Sequence, residues 1–188
     1  MRTVALVVAA GRGERFGGTM PKQYADLAGQ PVLRRAVEAF VRHPRVDAVR
    51  VVIAAEDTAR YTAATAGLPL MAPVFGAPSR QETVRRGLES LVEDGPDLVL
   101  VHDAARPLVS ATLIDRVIDA LDRYPAALPA LPVVDTLKRV GEGLVVAEAD
   151  RAGLVRAQTP QGFRFTEILA AHRGAAAVGH TDDTMIAA

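Results

Sequence analysis

The sequence predicts an α/β protein: a Rossmann-like, doubly wound, mostly parallel sheet with a projecting β-hairpin arm. Three observations carry this prediction. Val4 to Ala9, Val49 to Ala54 and Leu98 to Val101 are near-continuous apolar runs, as expected for strands covered on both faces. Helical patterns separate these runs, so strand and helix alternate. After Tyr124 the pattern breaks into several β-like pieces.

Each helix has its own signal. Pro31 to His43 places Val32, Leu33, Ala36, Val37, Phe40 and Val41 on one stripe, with Pro31 suited to the first turn. Glu82 to Glu93 aligns Val84, Leu88, Leu91 and Val92. Thr112 to Arg123 aligns Leu113, Ile114, Val117, Ile118 and Leu121, with Ser110 or Thr112 available as its cap. Further on, Gly141-Glu142-Gly143 reads as a turn between Leu137–Val140 and Leu144–Ala147. Such an arm has little core of its own and calls for a partner surface, a second subunit being one candidate.

Composition narrows the function. The chain has 188 residues, the length of one domain, and 22 basic residues balance 22 acidic ones. Neutrality gives no support to a nucleic-acid coat or a membrane-surface protein, so any anion site must be a local cluster. No cysteine is present, which removes disulfides, thiolate zinc sites and cysteine nucleophiles. The first apolar run is too short for a signal peptide or a membrane span. A soluble cytoplasmic protein is expected.

The segment Val4 to Gln23, "VALVVAAGRGERFGGTMPKQ", ends a strand in a glycine loop. A dinucleotide fingerprint needs G-x-G-x-x-G, but Phe16 stands at the third position and Gly17 comes one residue late. A Walker A loop fails too, for want of Gly-Lys-Ser/Thr. Ala9, Ala10, Gly11 and Gly13 are small, so backbone N–H groups can approach a phosphate closely. Arg15 and Lys22 add cations able to reach the same group. The glycine spacing alone fits an ordinary strand-to-loop turn equally well.

Asp103 ends an apolar strand, where open α/β sheets bind ligands. One carboxylate facing a phosphate suits magnesium, which takes one or two carboxylates plus phosphate oxygens and waters. Capping of the next turn is the plainer role for this Asp. His102 beside it reads as a packed strand-end histidine. Arg106 either binds an anion or braces its loop. Arg80 and Thr83 open a helix, a natural place for a nucleotide contact or for a simple cap.

Six stretches in order give a more specific reading: "AAGRGERFGGTMPKQY", "GAPSRQETVRRG", "VHDAARP", "DTLKR", "DRAGLVRAQTPQGF" and "HTDDT". Together they resemble the 2-C-methyl-D-erythritol 4-phosphate cytidylyltransferases, nucleotidyltransferases of GT-A-like fold, over nearly the whole chain. Gly76-Ala77 and Thr83 stand where that family commonly shows Gly-Gly and Ser. The resemblance implies CMP transfer from CTP to methylerythritol phosphate with Mg²⁺, and a homodimer joined through the arm at about 136–159. It assigns nucleotide contacts to Ala9, Ala10, Gly11, Gly13, Gly76, Arg80, Thr83, Asp103 and Ala104. Arg15, Lys22 and Arg151 become catalytic, with Arg151 delivered by the neighbouring subunit. Asp103 becomes the metal ligand. Asp103, Arg106, Asp135, Thr136, Arg151, Thr159 and Thr181 face the acceptor. Lys138 reads as a solvated arm charge.

The family usually continues with a strand, a site lysine and a final helix beyond "TMIAA". Residues 1–188 are therefore expected to be a single nucleotidyltransferase domain lacking that segment. Rival readings are a cytidylyltransferase for ribitol 5-phosphate or another sugar phosphate, a GTP- or UTP-dependent nucleotidyltransferase, and a non-catalytic nucleotide-binding regulator.

Overall fold

The computed structural model of the chain describes residues 1–11, 20–175, 183 and 186. The central sheet contains β1 (Thr3–Ala9), β2 (Ala48–Ile53), β3 (Val74–Phe75), β4 (Leu98–Asp103), β5 (Ala126–Ala127) and β10 (Gln161–Arg164), in the order β3-β2-β1-β4-β10-β5. The four strands β3, β2, β1 and β4 run parallel, and only β10 is reversed, being antiparallel to both β4 and β5. The doubly wound, mostly parallel sheet is thus as the sequence predicts.

Both faces of the sheet are covered. Ala5, Val7 and Ala9 of β1 face α1 (Val32–Val41), α2 (Thr58–Thr65) and α4 (Ala111–Ala120), where Leu33, Phe40 and Ile114 are fully buried. Val4 and Leu6 face α3 (Arg80–Glu89) and α5 (Phe165–Gly174), against Val84, Leu88 and Ile168. This two-sided burial explains the unbroken apolar runs. Gly87 brings α3 close to the sheet: a Cβ there would sit 2.7 Å from Leu6 Cδ2 and 2.9 Å from Val52 Cγ2.

The ends of α3 and α4 differ from the periodicity. The Ser79 hydroxyl accepts from Glu82 N–H, so α3 begins at Arg80 and ends by Glu89. Leu91 remains buried in the following turn, but Val92 points outward at 45% exposure. Ser110, not Thr112, caps α4, accepting from Leu113 N–H.

The arm consists of two antiparallel pairs, β6 (Ala130–Pro132) with β9 (Val155–Ala157) and β7 (Leu137–Gly141) with β8 (Leu144–Ala149). Glu142 and Gly143 make the turn, both at positive φ, as a two-residue hairpin with primed geometry requires. The register shifts after Arg139, leaving Val146 as the extra residue of a bulge. Val140, Leu144, Val145 and Val146 are all exposed. No helix among the described residues is long and apolar enough to cross a membrane.

Candidate active site

The site lies at the carboxyl ends of β1, β2 and β4. Gln23, buried in the short 3-10 turn Lys22–Tyr24, donates from Nε2 to the carbonyls of Ala9 (2.7 Å) and Gly11 (3.0 Å). These bonds anchor the start of the glycine loop. Beside it, Gly76 donates its N–H to the Ile53 carbonyl at the end of β2. A Cβ at Gly76 would lie 2.6 Å from Ala10 Cβ and 2.9 Å from Thr83 Cγ2, so only glycine lets these segments meet. The buried Thr83 hydroxyl donates to the Ala77 carbonyl (2.9 Å) and accepts the Ala77 N–H (3.0 Å).

Asp103 closes β4 between two guanidinium groups. Its Oδ1 lies 3.4 Å from Arg80 Nε and Nη2, and its Oδ2 lies 3.2 Å from Arg106 Nε. Arg80 reaches further, donating from Nη1 to Asp183 Oδ2 at 2.8 Å. Asp183 is fully buried; its N–H donates to Gln161 Oε1 (3.1 Å), and its other carboxylate oxygen faces His172 Nε2 at 3.3 Å. Burial disfavours the Arg80 charge, but the carboxylates of Asp183 and Asp103 outweigh it and raise the pKa above the ordinary arginine value. The result is a fixed cation on the wall of a cleft.

That cleft, about 190 Å³, is lined by Gly11, Ala77, Ser79, Arg80, Thr83 and Asp103, with Val8 and Pro78. A larger cavity of about 620 Å³ opens beside it, where Arg106, His102, Gln158 and Thr159 meet apolar residues of α4 and of segment 127–131. Small backbone, a fixed cation and one carboxylate suit a phosphorylated ligand with its counter-ion.

A family model described as IspD, 2-C-methyl-D-erythritol 4-phosphate cytidylyltransferase, matches residues 3–188. The chain belongs to this family. It is 55% identical over 186 residues to the bifunctional enzyme IspD/IspF of Paramagnetospirillum magneticum, covering 99% of this chain and 48% of that protein. The bifunctional enzyme IspD/IspF of Rhodospirillum rubrum is also 55% identical, over 98% of this chain and 48% of its own length. The chain therefore spans about half the length of the curated relatives it matches. Among solved structures, a 4-diphosphocytidyl-2C-methyl-D-erythritol synthase superposes with TM-score 0.82 at 34% identity, covering 99% of this chain and 83% of that one. The 2-C-methyl-D-erythritol 4-phosphate cytidylyltransferase of Thermus thermophilus gives 0.75 at 31%, covering 100% and 83%.

The IspD fold brings together several of the residues singled out in the sequence. Gly11, Arg80, Thr83 and Asp103 line one cleft, and Ala10 and Gly76 touch at its edge. Ala104 is buried and donates its N–H to the Val8 carbonyl, which ties the β4 end to β1. Arg106 stands next to Asp103, donating also to the Gln158 side chain. Thr159 is buried, with its hydroxyl bonded to His102 and to the Asp103 N–H.

Other residues stand apart. Lys22 is exposed at the 3-10 turn. Asp135 and Thr136 are exposed in the arm, and Arg151 donates to the Val134 carbonyl within that arm. None of these four lines either cavity. Lys138 pairs across the hairpin with Glu148 at 2.6 Å. Gly13, Arg15 and Thr181 lie outside the described residues.

Three contributors carry no separate sequence signal. Gln23 sits inside "PKQY", and only the fold shows its side chain under the loop. Asp183 sits in "HTDDT", two residues after Thr181, which the resemblance selects. His102, read as a packed strand-end histidine, is indeed packed but bonds through both ring nitrogens.

Proposed function

We propose that the chain transfers CMP from CTP to 2-C-methyl-D-erythritol 4-phosphate and releases pyrophosphate. The observation that best supports this reading is the cleft where Gly11, Arg80 and Asp103 converge from three separate family motifs. A phosphate oxygen of the acceptor attacks the α-phosphorus of CTP in line. The new P–O bond forms as the bond to the β-phosphate oxygen breaks, and pyrophosphate leaves with that electron pair. The acceptor phosphate has a second pKa of about 6, so it is already largely anionic near neutrality and needs no general base.

Catalysis is then positioning plus stabilisation of negative charge. Arg15 and Lys22 hold the triphosphate and the charge that develops on it. Arg80 stays on the cleft wall, with Thr83 and Gly76 shaping the loop that receives the nucleoside. Arg106 and Thr181 receive the acceptor phosphate, and Asp135 and Thr136 belong to the same acceptor set. Among the described residues no group of three or more carboxylate or imidazole side chains is placed to cage a metal. Magnesium shared with phosphates needs only one or two carboxylates, and Asp103 at the cleft fits that requirement. When bound there, Mg²⁺ supplies charge compensation between the phosphates.

The exposed apolar surface of the arm, with Leu144 at 71% and Val145 at 65%, suits burial against a second copy. Arg151 then serves the partner's acceptor site, where its planar fork matches a phosphate. The test is pyrophosphate release with Mg²⁺, each of four nucleoside triphosphates, and methylerythritol phosphate against ribitol 5-phosphate. Turnover with CTP and the first acceptor is expected, and Lys22→Ala is expected to lower kcat by about 10²–10³. Preference for ribitol 5-phosphate would overturn the acceptor, and nucleotide binding without turnover would favour a regulator.

A further inference from the structure

Gln23 is only 4% exposed, and a polar side chain that deep needs hydrogen-bond partners. Its Nε2 lies 2.7 Å from the Ala9 carbonyl oxygen and 3.0 Å from that of Gly11. A carbonyl oxygen only accepts, so the atom facing both is the amide nitrogen, which has one hydrogen for each. The reversed amide would set Oε1 against two oxygens. The main chain alone fixes the direction of these bonds, and no protonation state enters.

Ala9 ends β1, Gly11 follows it, and Gln23 comes 12 residues after Gly11, from the far side of the glycine loop. One side chain therefore ties the strand end to the turn beyond the loop. In a 3-10 turn successive side chains point about 120° apart, so Lys22, Gln23 and Tyr24 cannot share a face. Lys22 is exposed, Gln23 reaches the Ala9 and Gly11 carbonyls, and Tyr24 is buried in the core cluster that holds Leu33 and Val37 of α1. Main-chain bonds extend the connection: Tyr24 N–H to the Pro21 carbonyl (2.9 Å), Ala25 N–H to the Lys22 carbonyl (3.2 Å) and Val32 N–H to the Ala25 carbonyl (3.0 Å). The main chain of Lys22 is thus seated between β1 and α1.

We propose that Gln23 is a positioning residue: its amide locks the Lys22 turn to the start of the glycine loop. The two elements assigned above to the triphosphate are then set relative to each other before nucleotide arrives. Such preorganisation removes an ordering cost from binding and from the transition state. The inference rests on the function proposed above for its kinetic consequence, but not for its geometry.

The test has two arms. In the first, ¹H–¹⁵N spectra of the nucleotide-free chain, with the Gln23 side-chain amide assigned by through-bond correlation, report hydrogen exchange. Both amide protons are expected to exchange at least about tenfold more slowly than those of an unstructured glutamine. Exchange at the unstructured rate would overturn the clamp whether or not the chain transfers CMP.

In the second, kinetics and calorimetric binding of CTP with Mg²⁺ compare variants whose folding is checked by thermal melting. Gln23→Met keeps the length and loses the amide, and Gln23→Glu sets a carboxylate oxygen against the two carbonyls. Gln23→Met is expected to raise Kd for CTP and lower kcat about tenfold each, and Gln23→Glu at least as much. KM for methylerythritol phosphate should stay within about twofold. In the Lys22→Ala background, Gln23→Met should lower kcat by no more than about threefold, because the group it places is already gone. An equal loss in both backgrounds, or loss of cooperative melting in both Gln23 variants, would give Gln23 a role in the fold alone and would overturn the proposal. A wild-type chain that neither binds CTP nor turns over would instead overturn the reaction, leaving amide exchange to decide the clamp.

Discussion

At the scale of single residues, charges at the site are held by other charges. Arg80 keeps its place through Asp183 and Asp103 together, and Asp183 is fully buried. Asp183→Asn removes one of the two charges facing a largely buried guanidinium. A stability loss of about 3 kcal/mol is expected from urea unfolding, the lower end for breaking a buried pair, because Asp103 remains. KM for CTP should rise in the same variant, since Arg80 lines the cleft. An unchanged KM would remove Arg80 from nucleotide binding. The residues legible in the sequence were those whose type is unusual at its place: glycines after a strand, and an Asp ending one. Gln23, His102 and Asp183 work through partners 12 or more residues away in sequence, such as Gly11, Thr159 and Arg80. A single sequence shows a side chain's chemistry but not these partners.

At the scale of elements, helix α3 carries Arg80 and Thr83, so its seating on the sheet determines the cleft. Gly87 lets it sit close, with Leu6 and Val52 in the way of any Cβ. Gly87→Ala should destabilise the fold by about 1–3 kcal/mol as an overpacking change, measured by chemical denaturation. A neutral or stabilising result would mean that the helix shifts freely. The outer face of α3 is held by ion pairs. Hydrogen bonds from Arg85 lower the Glu82 pKa, and those from Arg173 of α5 lower the Glu89 pKa. A carboxylate depressed in the folded state adds stability above its unfolded value, near 4.5, and that stability disappears as pH falls through the folded value. Melting temperature should therefore fall as pH drops below about 4.5, and less so in Glu89→Gln. Salt should weaken the effect, because these pairs are half-exposed. The buried strands and the amphipathic helices were legible because burial imposes their periods. The strands β3 and β5, two residues each, and the reversed β10 exist through pairing with neighbours, which no local pattern records.

At the scale of the whole molecule, the arm and the sheet have opposite surfaces. Strands β1 and β4 at the centre of the sheet bury nearly all of their apolar residues, whereas the arm leaves Val140, Leu144, Val145 and Val146 in solvent. If a second copy covers the arm and receives Arg151, two inactive variants should complement each other. Mixing Lys22→Ala with Arg151→Ala chains under subunit exchange should restore activity at the sites that combine an intact Lys22 with an intact Arg151. No recovery, with exchange demonstrated by mass spectrometry, would place Arg151 in its own chain's site or outside the site altogether. Leu144→Asp should also shift the sedimentation coefficient toward that of a monomer. The central claim concerns the reaction itself. Incubating the chain with Mg²⁺, methylerythritol phosphate and CTP labelled at the α-phosphorus tests it most directly. The account predicts that the label enters a cytidine diphospho-sugar alcohol, with one pyrophosphate released for each product formed. Label remaining in CTP, or appearing only as CMP, would contradict it.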